Sequence, residues 1–388
     1  MKGSFQIARF ANIPVLVHWS FALIFLWVVY VGFQEGWEWK AIGWSVLFVI
    51  ALFVCVVLHE FGHALTARRY GVRTRDIILS PIGGVARLDR LPENPMQEFY
   101  VAVAGPMVNV GIMAALSPYF LLVSSATREQ LLSILRQYVG ISDNVFVRDL
   151  TPFDFFIFGL VMLNGMLAVF NMLPAFPMDG GRVLRALLSI PLGRMKATRI
   201  AAWFGQFLAV LLVLYGFREG SPITIFIGIF VFFMAANEYR MVRIDDILSK
   251  HTVADVLRPV FTRFYEKDTM ERVAEAVAHG WEKHFIIVDE WQRPVGTLPE
   301  ERIVQAVQQG AFDEPAEKFM LRGADALRLQ DSLRDVFMHV QQHNTHLFPV
   351  YDHAERLVGV LDTDMLFQFI KMRQRPRFTA LRSIRANT

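Results

Sequence analysis

Cys55-Val-Val-Leu-His59-Glu60-Phe-Gly-His63-Ala-Leu65 sets the pattern His-Glu-x-x-His inside a run of apolar residues suited to a membrane. On a helix, residues four apart project from one face, so the imidazoles of His59 and His63 lie one above the other. That spacing suits a zinc ion. Glu60, one residue round the helix, can take the proton of a water that the metal activates, as a general base. The plain alternative is a chance match of three positions, and the setting weakens it. Two histidines and a glutamate in hydrocarbon each cost about a few kcal/mol unless they are paired or ligated. Cys55, the single cysteine, excludes an intramolecular disulfide and reads as packing.

Outward from this stretch the chain divides. Of its 388 residues 54% are hydrophobic and 19% charged, and the charge gathers beyond about Arg240. The net charge of +3 is too small to argue for nucleic acid. Up to about Tyr239 six apolar stretches approach the roughly 20 residues a spanning helix needs. They are Val15–Phe33, Ala41–Ala67, Phe99–Val123, Phe153–Phe176, Ala197–Phe217 and Pro222–Tyr239. Met1–Pro14 reads as a short amphiphilic lead, His18 as an interfacial histidine and Ser124–Thr151 as a polar loop. Tyr70–Leu91 holds short alternating segments around Pro81-Ile-Gly-Gly84, the pattern of a β-hairpin or small sheet at the membrane face. Six spans put both termini on one side. Lys2, Arg9, Arg68, Arg69, Arg73, Arg75, Arg87, Arg90, Arg182, Arg185, Arg194, Lys196, Arg199, Arg240 and Arg243 fall on that side, against Lys40, Arg128, Arg136, Arg148 and Arg218 on the other. The positive-inside rule then makes the termini cytoplasmic, in a multi-pass protein of the cell membrane.

A catalytic zinc usually takes three protein ligands and keeps one position open. Asp179 is the candidate for the third. It follows Pro174 and Pro177, which break the fourth span, and precedes Gly180-Gly181, which permit a tight turn. Irregular backbone at membrane depth survives only where protein buries it or a wet cavity meets it. An ordinary cap on the helix that follows is the competing reading. Set beside the histidine pair, the ligand reading is preferred.

With these motifs in hand, the membrane half resembles the site-2 protease family of intramembrane zinc metalloproteases. The resemblance rests on His59-Glu-Phe-Gly-His63 and on Asn171-Met-Leu-Pro-Ala-Phe-Pro-Met-Asp-Gly-Gly181, the family's N-x-x-P-x-P-x-D-G pattern with one spacing change. Ile82–Val85 is similar to the family's Gly-Gly hairpin and Ala104–Asn109 to its third-helix Gly-Pro-Asn motif. The resemblance implies His59, His63 and Asp179 as ligands of one zinc per chain and Glu60 as the catalytic acid and base. It also implies a transmembrane protein as substrate, cut within or near the bilayer. Asn171 could donate to the oxyanion or to substrate backbone, with helix packing as the alternative. The Ile77–Leu88 segment, with Gly83 and Gly84, could hold an unwound substrate by edge pairing.

From His251 the pattern repeats with a period near 63: Phe285-Ile-Ile-Val-Asp289 returns as Phe348-Pro-Val-Tyr-Asp352. Helix, strand, turn, strand, helix, twice over, resembles a tandem CBS pair. Neither copy carries that family's G-x-x-T/S-x-x-D nucleotide signature, since Pro299 and Arg302, then Asp362 and Met365, occupy its positions. Protein contact or self-association, as in a homodimer through these domains, is therefore favoured over an adenine nucleotide as the regulatory input. The expected fold is a polytopic α-helical membrane protein, with about six spans and a small β-sheet, joined to a soluble α/β module. Its expected parts are a protease domain over 1–245, CBS domains over 251–312 and 313–375, and a basic tail over 376–388. The rival from another class is a CBS-gated membrane transporter or channel with a metal site. The fifth and sixth spans lack a mid-span charge and no inverted repeat is visible, both against transport.

Overall fold

The computed structural model describes residues 3–81, 83–88, 92, 94–138, 150–280, 282–323, 325–343 and 345–374. The expected basic tail lies outside these residues. Two compact units emerge, Met1–Tyr239 and Arg240–Thr388.

In the first unit the lead is not a loose segment. It forms β1 (Ser4–Phe10), which returns through Ala11 and Asn12, both at positive φ, into β2 (Ile13–His18). Two such residues make a tight turn whose twist matches that of the flanking strands. The first expected span therefore starts as a strand, and only α1 (Ala22–Gln34) is helical beyond a short turn at Trp19–Phe21. Its 13 residues rise about 20 Å, short of the roughly 30 Å hydrocarbon core. α2 (Trp39–Arg69) is the long element, 31 residues that rise about 46 Å. After it come β3 (Thr74–Ser80) and β4 (Gly83–Leu88). The sheet order is β1-β2-β3-β4, with β2 and β3 parallel and the other pairs antiparallel. Ile13, Val15, Ile77 and Leu79 of the sheet pack on Phe61 and Ala64 of α2, so the sheet sits beside the histidine pair.

α3 (Pro95–Leu116) and the short α4 (Tyr119–Leu122) follow. The expected polar loop then contains α5 (Ser125–Tyr138), whose Leu131 is buried. α6 (Pro152–Asn171) opens on a capping box between Thr151 and Asp154. α7 (Asp179–Leu192), α8 (Arg194–Arg218) and α9 (Pro222–Ser249) complete the unit. Among the described residues five helical stretches are long and apolar enough to cross a membrane, with Trp19–Gln34 a shorter sixth. Large apolar side chains such as Leu26, Trp27, Leu122 and Phe226 stand exposed. Water would penalise such a surface, whereas lipid tails do not.

Among the described residues, the buried charged side chains of this unit have polar partners: Asp76 meets Arg87, and Asp154 meets Thr151 and Tyr119. Arg185 of α7 is fully buried; its Nε donates to Glu98 of α3 (2.6 Å) and its Nη1 to Glu238 of α9 (3.2 Å). Its guanidinium also lies 5.0 Å from the centre of the Phe176 ring. One residue that the sequence counts as a surface charge thus ties three helices together.

The Arg240–Lys250 stretch continues α9 almost to its end instead of forming a linker. The second unit contains the repeat. β5 (Arg263–Tyr265), α10 (Met270–His279), β6 (Phe285–Val288), β7 (Pro294–Leu298) and α11 (Glu300–Gln308) make the first copy, edged by β8 (Leu321–Arg322). β9 (Leu327–Arg328), α12 (Leu333–His343), β10 (Leu347–Tyr351), β11 (Leu357–Asp362) and α13 (Thr363–Arg373) make the second. The turns correspond bond for bond. Asp289 accepts from the backbone of Trp291 and Arg293, and Asp352 from that of Ala354 and Arg356.

Where the copies meet, His284 and His346 stack with ring centres 4.8 Å apart and planes 12° from parallel. Burial lowers the pKa of His284, and the neighbouring His346 acts in the same sense against the pull of Asp362, Glu301 and Asp364. Its Nδ1 also accepts from the Glu300 N–H at the start of α11, a helix end that repels positive charge. The folded chain thus refuses a proton that the unfolded chain binds near pH 6.5. Stability should fall as pH drops below about 6.5 and keep falling to the lowered folded value. Melting of the 240–388 unit between pH 7.5 and 5.5 measures this. His284→Asn, which still accepts from Glu300, should lose less than the parent; equal losses would remove His284 as the cause. Asp362, whose pKa burial raises, acts in the opposite sense, so the difference between the two proteins is the quantity to read.

Candidate active site

Two elements deliver three donor atoms to one point. His59 and His63 come from the buried face of α2, and Asp179 from the first turn of α7. The two Nε2 atoms are 3.1 Å apart, and Asp179 Oδ2 lies 3.2 Å from that of His59 and 3.1 Å from that of His63. Ligands at 2.0–2.1 Å around a tetrahedral zinc sit about 3.3 Å from one another. The N-cap of α7 is Met178, and Asp179 makes no capping bond, so its carboxylate is turned to the histidines.

The outer ring nitrogens decide which lone pairs face inward. His63 Nδ1 donates to the Val101 carbonyl (2.7 Å), which can only accept, so Nε2 carries the free lone pair. His59 Nδ1 pairs with Asn109 Oδ1 at 2.5 Å in the same sense. Two imidazole lone pairs and a carboxylate oxygen then converge with no hydrogen between them, a set that a cation satisfies. Among the described residues this is the one group of three or more such side chains able to hold a metal ion.

Glycines make room for it. A Cβ on Gly105 of α3 would lie 2.2 Å from His63 Nε2 and 2.7 Å from His59 Nε2. Gly62 lets the Ala104 carbonyl approach to 2.7 Å of where its own Cβ would be. Gly180 and Gly181 do not form the turn that their sequence suggests. They lie inside α7, where a Cβ would strike the backbone of Met172–Phe176. They are close-approach residues that let the irregular Met172–Met178 segment pack under the first turn of α7.

Glu60 points to the sheet. Its Oε2 accepts from the Ala86 N–H of β4 at 3.0 Å. Among the described residues β4 is an edge strand, whereas Ile77 and Ile78 belong to the interior strand β3. Of the hairpin glycines, Gly83 needs its φ of +132°, which other residues rarely adopt. Gly84 lies against α2, where a Cβ would meet Glu60 Cγ and Val56 Cγ1 at 3.0 Å. Asn171 ends α6, half-buried, and among the described residues no hydrogen bond to its side chain is found. Gly105 belongs to the Ala104–Asn109 motif, but its place against the histidines, like the roles of Asn164 and Arg185, is visible only in the structure. For Asn164, a lone amide inside an apolar span was the available clue.

A family model described as Peptidase family M50 matches residues 47–215, which include every donor just described. The zinc metalloprotease MJ0392 of Methanocaldococcus jannaschii is 35% identical over 261 residues, 67% of either chain. The chain belongs to peptidase family M50. Stage IV sporulation protein FB of Bacillus subtilis is 28% identical over 178 residues, 45% of this chain and 50% of that relative. Among solved structures, the site-2 protease from M. jannaschii is 36% identical over 61% of this chain and 95% of its own, at a TM-score of 0.42. A CBS domain pair of protein MJ0100, solved with 5'-methylthioadenosine and S-adenosyl-L-methionine, is 21% identical over 32% of this chain and 98% of its own, at a TM-score of 0.29. This M50 member is an intramembrane zinc metalloprotease of the site-2 type and a multi-pass membrane protein. Its cofactor is zinc.

Proposed function

We propose that His59, His63 and Asp179 hold the zinc, that Glu60 carries the protons of peptide hydrolysis, and that β4 receives the substrate. The observation that carries the reading is the convergence of three lone pairs at 3.1–3.2 Å. Zinc, when bound, polarises the scissile carbonyl and makes water acidic enough to attack near neutral pH. Glu60, next in sequence to His59, takes a proton from the attacking water and returns it to the departing amine. A helical substrate hides its carbonyls in internal hydrogen bonds and must unwind before attack. An unwound segment can then add to the outer edge of β4, with Gly84 keeping that edge close to α2 and Gly83 supplying the positive φ at its start. Asn171, at the end of the helix before the Asp179 segment, is assigned to substrate or oxyanion contact.

The substrates are transmembrane proteins in the same bilayer, with the termini and residues 251–388 on the cytoplasmic side, as the arginine distribution supports. The repeat over 251–312 and 313–375 is assigned a regulatory role through self-association, adenine nucleotide being disfavoured by the missing signature. Cleavage by the full chain against one ending at Lys250 tests that role, and equal rates and substrate choice would dismiss it.

Purified protein with candidate single-span proteins, with and without a zinc chelator, tests the central reading. Cleavage should stop on chelation and return with zinc, and Asp179→Ala should lower zinc content in elemental analysis. Full zinc occupancy in that variant would place the third ligand elsewhere. Ala86→Pro removes the donor that Glu60 uses and breaks the edge of β4. A hydrogen bond to a charged group contributes about 1.5–3 kcal/mol, so kcat/KM should fall about 10- to 100-fold with zinc retained. Unchanged turnover at matched expression would argue against both roles of β4. A proline at Ile78 would instead disrupt the interior of the sheet.

A further inference from the structure

Asn109 has no intrinsic reason to present oxygen to His59. A carboxamide offers an acceptor on one side and a donor on the other, and a half-turn exchanges them. With nitrogen facing His59 Nδ1, the imidazole would place its hydrogen on Nε2, where the zinc has to bind. Something must fix the amide.

Asn164 of α6 does so. Asn109 and Asn164 are both fully buried, so water does not compete for their amides. Asn164 Nδ2 donates to the Leu160 carbonyl at 2.8 Å, and Cys55 Sγ lies 3.4 Å from the same nitrogen. A backbone carbonyl can only accept, so the amino group of Asn164 must face it. Asn164 Oδ1 is left to face Asn109 and accepts from Asn109 Nδ2 at 3.0 Å. Asn109 Oδ1 is thereby committed to His59 Nδ1, and His59 Nε2 to the metal. We propose that Asn164 is a positioning residue of the zinc site, reading the direction of the α6 backbone and passing it through Asn109 to set the tautomer of His59. The inference rests on the assignment of His59 as a ligand. It adds that a side chain on a third helix, touching neither metal nor substrate, determines how well that ligand binds.

Full-length protein in detergent tests it through metal affinity. Asn164→Leu removes both hydrogen bonds and frees Asn109 to turn. The zinc dissociation constant, from chelator competition, should rise about 10- to 100-fold, the usual cost of losing an outer partner of a ligand histidine. The visible spectrum of the cobalt(II) form should shift with it. Asn109→Asp in the same chain supplies a carboxylate that accepts from Nδ1–H whichever way it turns. N109D/N164L should therefore recover affinity to within a few-fold of wild type, which a mere packing defect would not allow. If N164L does not give monodisperse protein, Asn164→Ala and N109D/N164A are read in the same way. The proposal is overturned if the single variant keeps wild-type affinity, or if the double variant binds as weakly as the single one. Loss of zinc from His59→Ala separates this outcome from failure of the ligand assignment itself; unchanged zinc in His59→Ala would overturn that assignment and this inference with it.

Discussion

Glu60→Gln should retain one zinc per chain and cleave substrate about 10²- to 10⁴-fold more slowly, the usual contribution of a positioned general base. The substitution keeps size and shape. Its carbonyl oxygen still accepts from Ala86 N–H, so β4 stays docked on α2 and the three donor atoms are untouched. What is lost is the ability to take a proton, because an amide is not a base near neutral pH. Single-turnover cleavage of a single-span protein, with zinc measured on the same sample, checks it. Proteolysis at the wild-type rate would remove Glu60 as the base. Zinc loss with the fold intact would place Glu60 among the ligands.

Gly105→Ala should remove the metal. The added methyl would lie 2.2 Å from His63 Nε2, 2.5 Å from its Cε1 and 2.7 Å from His59 Nε2, where the zinc itself belongs. The rings cannot easily retreat, because the Val101 carbonyl and Asn109 hold their far sides. Parting α2 and α3 to make room would break the close contact of Gly62 with the Ala104 backbone. Zinc content should fall to background and cleavage with it. Gly111→Ala, on the same helix with open space at its Cβ, is the control and should match wild type. Stoichiometric zinc in Gly105→Ala would mean that the metal lies off the point where the three donors meet.

Much of this site was legible because its chemistry is concentrated in short motifs. His59, Glu60 and His63 share one helix, and helical spacing alone places them together. Asp179 is readable as a carboxylate after broken backbone at membrane depth, and α7 turns it toward the histidines instead of using it as a cap. What the sequence concealed depends on partners far along the chain. Arg185 looks like one more basic residue until Glu98 and Glu238, from two other helices, surround it. Ser4–Phe10 escaped because Phe5, Ile7 and Phe10 are exposed, so the strand lacks the buried apolar face by which strands are recognised. α5 escaped through its polar composition, although Leu131, Leu132 and Leu135 recur at helical spacing. The hairpin is legible in the sequence, but which of its two strands lies at the edge is not. Only the register shows that β2 occupies the far side of β3.

The convergence of three lone pairs has a thermodynamic consequence for the membrane unit. Donors from α2 and α7 that face one another without a cation repel, and hydrocarbon offers them no solvent to turn toward. On the proposed ligand assignment, filling the site would exchange that repulsion for three bonds, so zinc would fasten the helices as well as serve as a reagent. A ligand that binds only the folded state adds RT ln(1 + [L]/Kd) to its stability, about 4 kcal/mol when free zinc is a thousandfold above Kd. The tightness of the α2–α7 clasp is therefore set partly by the cell's supply of zinc. In a zinc-poor membrane the folded unit would be less stable by that margin, as well as inactive.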